Sequence, residues 1–278
     1  MSGETKEVFG SNYGQNDVII NGLIEKMTLF DDNLMSLVFG QNIETTELLL
    51  RVIMERDIKV IDVRGQDELK NPVIGGRCIT LDVHAIDVDG RHIDIEVQIN
   101  AEGSHVKRAR YHSSLIDANV TEPGEKLENL VETYVIFITE HDVLGKGKPI
   151  YHIDRTVRET GALFGDESHI LYVNAQIKDD TALGQLMHDF SCTSAEEMHY
   201  QILADRVRYF KEDTEGVATM CKIMEDMKSE AARKAEREKA IKSARAILAL
   251  GKLSYEEIAD SLELTVDEVK ALDEKVIA

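Results

Sequence analysis

The sequence is short of basic residues: 32 Lys and Arg stand against 52 Asp and Glu, a formal net charge of −20. Phosphate contacts need cations and a field of this sign repels a polyanion, so unaided, non-specific binding of nucleic acid is excluded. Any nucleic-acid chemistry requires local basic patches, a bound metal ion, or both. Cysteine is scarce as well. Cys78, Cys192 and Cys221 are odd in number, far apart and outside any CxxC spacing. That excludes a disulfide framework or a cysteine-rich zinc site and predicts reduced, mostly buried thiols. No apolar run approaches the ~20 residues of a membrane span, and nothing at the N-terminus resembles a signal peptide. A cytoplasmic protein with no membrane partner is expected. The 278 residues leave room for one sizeable domain and an appendage.

What the sequence does have is one strongly patterned stretch, 78–100, reading CITLDVHAIDVDGRHIDIEVQIN. Alternation puts Leu81, Val83 and Ala85 on one face of a first strand, and Ile93, Ile95, Val97 and Ile99 on one face of a second. Thr80, Asp82 and His84, then Asp94, Glu96, Gln98 and Asn100, take the other face. Between the strands Val88, Asp89 and Gly90 read as a three-residue hairpin loop, with Gly90 in the left-handed conformation. A loop of that length pairs Asp87 with Arg91 and, counting outward, His84 with Asp94, Asp82 with Glu96, and Thr80 with Gln98.

Two carboxylates opposed across a hairpin, at roughly 5 Å, repel unless a cation lies between them. Oxygen ligands of this kind suit Mg²⁺ or Mn²⁺. The same alternation is also the ordinary pattern of a solvated strand face, and the metal reading fails if Asp82 and Glu96 point to different sides of the sheet or lie too far apart to share an ion.

Asp82, a hairpin turn, then Glu96-Val97-Gln98 resembles the core of the PD-(D/E)XK nuclease superfamily in its variant with Gln in place of Lys. Leu81 stands where the superfamily nominally has Pro. More closely, the chain resembles the PD-(D/E)XK nuclease family transposases, or Rpn-type recombination-promoting nucleases. Their opening motif is matched by Asp32, Met35 and Phe39, with Ser36 where Lys is frequent. The resemblance implies a restriction-endonuclease-like α/β fold, a mixed sheet flanked by helices, and metal-dependent hydrolysis of DNA. It implies that Asp82, Glu96 and the backbone carbonyl of Val97 hold Mg²⁺, with Mn²⁺ as an alternative, while Gln98 orients the attacking water. Asp32 is the candidate further acid and Glu47 the reserve, a surface helix cap being the other reading of Asp32. In the helix expected over 106–118, Lys107, Arg108, Arg110 and Tyr111 fall where the family carries an Arg and a Tyr, and are candidates for phosphate contact. A degenerate nuclease fold serving as a DNA- or protein-binding regulatory module is the alternative.

Around this centre the pattern predicts a lead-in over 1–22, a nuclease-like domain over 23–215, a long helix over 216–250 and a helix-turn-helix-like segment over 251–278. Within the domain, helices are expected from Asp32 and over 45–54, strands over 58–63, 134–139 and 170–173, a loop over 66–76, and one amphipathic helical stretch over 181–211. His188 and His199 have no second ligand at metal spacing. Gly216 marks a break, and the long helix after it carries a surplus of basic residues that suits a spacer or a homodimer arm. In the last segment Glu263-Leu264 forms the turn and Thr265 caps the second helix. That helix offers Asp267, Glu268 and Lys270, poor material for reading base edges.

Overall fold

The computed structural model describes residues 20–72, 76–100 and 102–274, which form two compact units meeting between Met220 and Cys221. The first unit is built on a six-stranded sheet of order β1-β2-β3-β4-β6-β5. Its strands are β1 (Val60–Leu69), β2 (Ile79–Asp87), β3 (His92–Gln98), β4 (Thr133–Thr139), β5 (Ile150–Ile153) and β6 (Ser168–Asn174). β1, β2 and β3 run antiparallel, β3, β4 and β6 parallel, and β5 closes the far edge antiparallel. The run 134–139 is buried at every position, as a near-continuous β-branched and aromatic sequence in a central parallel strand should be.

The hairpin forms in the expected register. His84 pairs with Asp94 and Val83 with Ile95, and Gly90 closes the turn at φ +80°. The Asp87 carboxylate fixes that turn by accepting from the backbone N–H groups of Asp89 and Arg91 at 3.0 and 2.9 Å. The second strand ends at Gln98, however, and Ile99 is exposed rather than on the core face. Nor is the middle of the polar face solvated: Asp82, His84, Asp94 and Glu96 are buried, while Thr80 and Asn100 at its open end are exposed.

Helices cover the sheet. α1 (Asp32–Phe39) and α2 (Ile43–Met54) start the unit, and Asn42 caps α2 by accepting from the Thr45 N–H at 2.9 Å. α3 (Val106–Val120) lies over the hairpin's polar face. Its Ala109, Leu115 and Ile116 pack with Val135, Phe137 and Tyr172. β1 continues to Leu69, so the first four residues of the expected loop are strand; Gln66 takes a left-handed φ of 52° there. Residues 73–75 of the expected loop lie outside the described residues, as does most of the expected lead-in.

The stretch over 181–211 is two helices, α4 (Ala182–Ser191) and α5 (Gln201–Glu212). The break begins at the extended Cys192, and the chain returns so that the buried Asp189 carboxylate accepts from the His199 and Tyr200 N–H groups at 2.7 and 2.8 Å, tying the approach to α5 to the end of α4. α6 (Thr214–Leu250) starts before Gly216, because the break falls at the extended Asp213. Gly216 is inside the helix for a different reason: a Cβ there would lie 1.9 Å from the Tyr209 carbonyl oxygen. Cys78 is exposed, against the expectation of buried thiols, while Cys192 is buried and none of the three cysteines is in a disulfide.

In the second unit the end of α6 packs with α7 (Tyr255–Leu262) and α8 (Val266–Glu274) around Ala244, Ile258, Ala259, Leu264 and Val269. Ser254 and Glu257 form a capping box, Glu263 turns in the left-handed region, and the Thr265 hydroxyl accepts from the Glu268 N–H. The side chains of Lys228, Glu230 and Lys234 lie outside the described residues. Among the described residues no helix is long and apolar enough to cross a membrane.

Candidate active site

The site begins where the hairpin stops being a ladder. Backbone pairing of β2 with β3 ends at Val83 and Ile95. One step further, each strand turns its N–H to a side chain of the other. The Asp82 N–H donates to Glu96 Oε1 at 3.1 Å, and the Val97 N–H donates to Asp82 Oδ2 at 3.0 Å. The parted strands leave a notch lined by Asp82, Asp94 and Glu96, which share one face because they alternate in register.

α3 closes the notch. Arg108 and His112, four apart and so on one side of the helix, both reach it. The Arg108 Nη2 donates to Glu96 Oε2 at 2.9 Å, and its Nε donates to His112 Nε2 at 3.2 Å. Since arginine can only donate, His112 accepts at Nε2 and carries its proton on Nδ1, which lies 2.8 Å from Asp94 Oδ2. Burial holds the His112 pKa below the usual imidazole range, so the ring is a neutral donor here.

The charge in the notch does not balance. Burial, and then the neighbouring Asp82, push the Asp94 carboxyl well above the usual range. Burial, with Asp94 and Asp82 beside it, does the same to Glu96. Asp82 is pushed up to about 6, first by burial and against the pull of the Val97 N–H. Three carboxyls face one guanidinium and a neutral imidazole. In addition, Asp94 Oδ1 is buried with no hydrogen-bond partner, a costly state for a polar atom. An all-oxygen donor set with an excess of negative charge and an orphaned oxygen fits a hard divalent cation. Asp94, Glu96 and His112 also bring ligand atoms within 4.8 Å of one another.

Of the residues singled out from sequence, Asp82, Glu96 and Arg108 come together directly. Val97 joins them through its N–H. Asp32, in the first turn of α1, is open to solvent, and its charge adds to the upward push on Asp82 while Arg108 acts on both. The preceding Asp31 is the N-cap of α1. Glu47 is engaged elsewhere, accepting from the Val60 N–H at 3.0 Å and pairing with Lys59. Gln98 packs its amide against Gly103, where a Cβ would lie 1.8 Å from its Oε1.

Tyr111 ties α3 to the loop before β2, its hydroxyl donating to the Arg77 carbonyl at 2.5 Å. Arg110 is exposed, about 200° round the helix from Arg108. Lys107 lines a cleft of about 690 Å³ together with Arg77, Arg108, His105 and Glu102. With Arg108 already paired to Glu96, Arg77 and Lys107 against Glu102 still leave this cleft locally basic in an acidic protein. Lys107 and Arg108 sit in the first turn of α3, where the helix dipole disfavours cations. Their placement therefore serves something other than helix stability.

Sequence reasoning missed Asp94, His112 and Arg77 as site residues. Asp94 was visible as the third acid of the alternation, and His112 as the position one helical turn beyond Arg108. Nothing in the sequence places Arg77 at the cleft.

The mixed sheet flanked by helices, with acids where two of its strands part, defines a restriction-endonuclease-like α/β protein. The family follows from comparison: the model of the PD-(D/E)XK nuclease family transposases matches residues 30–249, and the chain belongs to that family. Membership supports a nuclease-like function, with DNA as the substrate the family implies. No curated protein and no solved structure matches the chain.

Proposed function

We propose that this protein is a divalent-metal-dependent DNA endonuclease that hydrolyses phosphodiester bonds, acting in the cytoplasm. The observation that carries this reading is the notch itself: three buried carboxyls and an unpartnered Asp94 oxygen at the parting of β2 and β3, beside a basic cleft. Asp82 and Glu96, with the Val97 carbonyl, would hold Mg²⁺, for which Mn²⁺ can substitute, and Asp94 supports them. When bound, such an ion supplies Lewis-acid stabilisation of the phosphoryl oxygens and a more acidic water.

The chain's own residues do the rest. Arg77 and Lys107 hold the DNA backbone at the mouth of the cleft. Arg108, already at Glu96, balances charge between carboxylate and phosphate. His112 fixes Asp94 by its Nδ1–H, in the manner of a supporting residue that orients a ligand. Gln98 positions a water by hydrogen bonding, without the charge that a lysine would bring. The test is nicking of supercoiled plasmid with Mg²⁺ or Mn²⁺, the intact chain against Glu96→Gln. Equal nicking by both would move the chemistry elsewhere.

A second reading has its own observation. The Arg108 guanidinium already occupies Glu96 Oε2, and Gln98 packs on Gly103; together these favour a degenerate site in a DNA- or protein-binding regulatory module. Calorimetric titration with Mn²⁺ separates the two readings, since a dead site shows no binding that depends on Asp82 and Glu96.

A further inference from the structure

We propose that His188, Asp189 and Cys192, with His199 supporting Asp189, form a binding site for a zinc-class transition-metal ion, separate from the carboxylate notch. His188 and Asp189 occupy the last turn of α4, Cys192 is its C-cap, and His199 stands just before α5. The fold brings one potential ligand atom each from His188, Asp189 and Cys192 within 4.8 Å of one another, with His199 beside Asp189. Cys192 Sγ lies 3.4 Å from His188 Nδ1, His188 Nδ1 lies 3.4 Å from Asp189 Oδ1, and His199 Nδ1 lies 3.0 Å from the same oxygen. The two imidazole rings meet edge to face with centroids 4.6 Å apart.

The His199 contact is an ordinary hydrogen bond, and the Cys192 thiol can donate to the His188 carbonyl oxygen at 3.4 Å. At 3.4 Å from Asp189 Oδ1, however, His188 Nδ1 is beyond the usual N–H···O separation of about 2.9–3.0 Å. The two 3.4 Å distances at His188 Nδ1, to Cys192 Sγ and to Asp189 Oδ1, do match edges of a coordination tetrahedron. With Zn–N and Zn–O near 2.0–2.2 Å and Zn–S near 2.3 Å, ligand atoms stand roughly 3.3–3.7 Å from one another. A thiolate and a carboxylate would neutralise the dication, and sulfur with imidazole nitrogen selects Zn²⁺ over Mg²⁺.

The setting is that of a prepared site. Asp189 is fully buried and oriented by the His199 and Tyr200 N–H groups, which fixes its carboxylate before any ion arrives. Behind it, Phe190 stacks on Phe39 of α1 with ring centroids 5.7 Å apart. In front, the side chains of His188 and His199 are 40% and 43% exposed, which gives an ion its way in. Occupied, the site would staple the end of α4 to the start of α5 and so brace the wall against which α1, the helix of Asp32, is packed.

The test uses the full-length chain stripped of metal with a chelator, then titrated with Zn²⁺ or Co²⁺ in excess Mg²⁺ so that the hard-oxygen site is already filled. The expected result is one equivalent of bound Zn²⁺ and, with Co²⁺, a thiolate-to-metal charge-transfer band. Cys192→Ser should lose that band, and His199→Gln should weaken Zn²⁺ binding at least ~10-fold. Glu96→Gln should change neither. His199→Gln, with its exposed ring, keeps the question answerable if circular dichroism shows Cys192→Ser to be misfolded. Absence of the Zn²⁺ equivalent in the unaltered chain overturns the proposal, as does binding that Cys192→Ser and His199→Gln leave intact.

Discussion

Two places in the first unit bury carboxylates completely, and they treat them in opposite ways. Asp189 has each oxygen met by a backbone N–H, from His199 and Tyr200. In the hairpin notch, Asp94 and Glu96 are equally buried, but they face each other and Asp82, and Asp94 Oδ1 has no donor at all. A buried acid is tolerated when the fold supplies hydrogen bonds to its charged form and costly when it does not. The first arrangement holds a chain turn in place. The second is unfavourable to the isolated fold, which is the mark of a functional site rather than a structural one.

The same acid-to-amide change should therefore have opposite effects at the two places. Glu96→Gln in the notch should reduce plasmid nicking by at least ~100-fold, because a ligand charge is lost. Its thermal midpoint without metal should stay level or rise, because like-charge crowding is relieved. Asp82→Ala should lose nicking to a similar extent. Nicking at the original rate by both variants would remove the distinction between the two places.

A second contrast is in pH. Asp82 is raised from 3.8 to about 6 in the folded protein, and Asp94 and Glu96 are raised as well. A carboxyl raised on folding binds its proton more tightly in the native state, so its contribution to stability is present at low pH. That contribution is lost as pH climbs from the unfolded value through the folded one. For Asp82 the window runs from roughly 4 to 6 and corresponds to on the order of 2–3 kcal/mol. In chelator, the urea midpoint should be higher at about pH 5 than at about pH 8. Asp82→Asn should flatten that slope, and saturating Mg²⁺ should offset it at the upper pH. A slope unchanged in Asp82→Asn would place its origin in the overall acidic surface.

At the other place, Asp189→Asn should cost about 1–3 kcal/mol, since an amide NH₂ would face a backbone N–H that the carboxylate now satisfies. The folded fraction should nick plasmid at the original rate, measured as rate per folded molecule. Loss of nicking beyond the loss of folded protein would make Asp189 part of the same machinery as Glu96.

Much of the notch was legible in the sequence because local rules set it. Strand alternation and a three-residue loop determine that Asp82 and Glu96 meet, and Gly90 can serve that turn because it adopts a positive φ. What alternation could not show is burial. The pattern that puts Asp94 beside Glu96 is the same whether water or α3 covers it, and only the packing of Ala109, Leu115 and Ile116 on the sheet decides. The second polar cluster was invisible for a related reason. His188 and His199 are eleven residues apart in sequence, and they converge only because the chain leaves the helix at Cys192, where the apolar periodicity extends straight through, and is tied back to Asp189. Gly216 misled in the opposite sense, reading as a stop when the close passage of the Tyr209 carbonyl is what demands it.

The smallest expected effect concerns Gln98 and tests how finely the notch is set. A Cβ at residue 103 would meet the end of the Gln98 side chain, a group free to move aside, rather than fixed backbone. Gly103→Ala should therefore change stability by no more than ~0.5 kcal/mol, in the range of substitutions that force nothing rigid to shift. It should nevertheless turn the Gln98 amide out of its present seat. If Gln98 positions the attacking water, the nicking rate should change several-fold while Mn²⁺ affinity, set by Asp82 and Glu96, stays as it was. Nicking that tracks the unaltered chain in Gly103→Ala and in Gln98→Ala alike would leave water positioning to the carboxylates and α3.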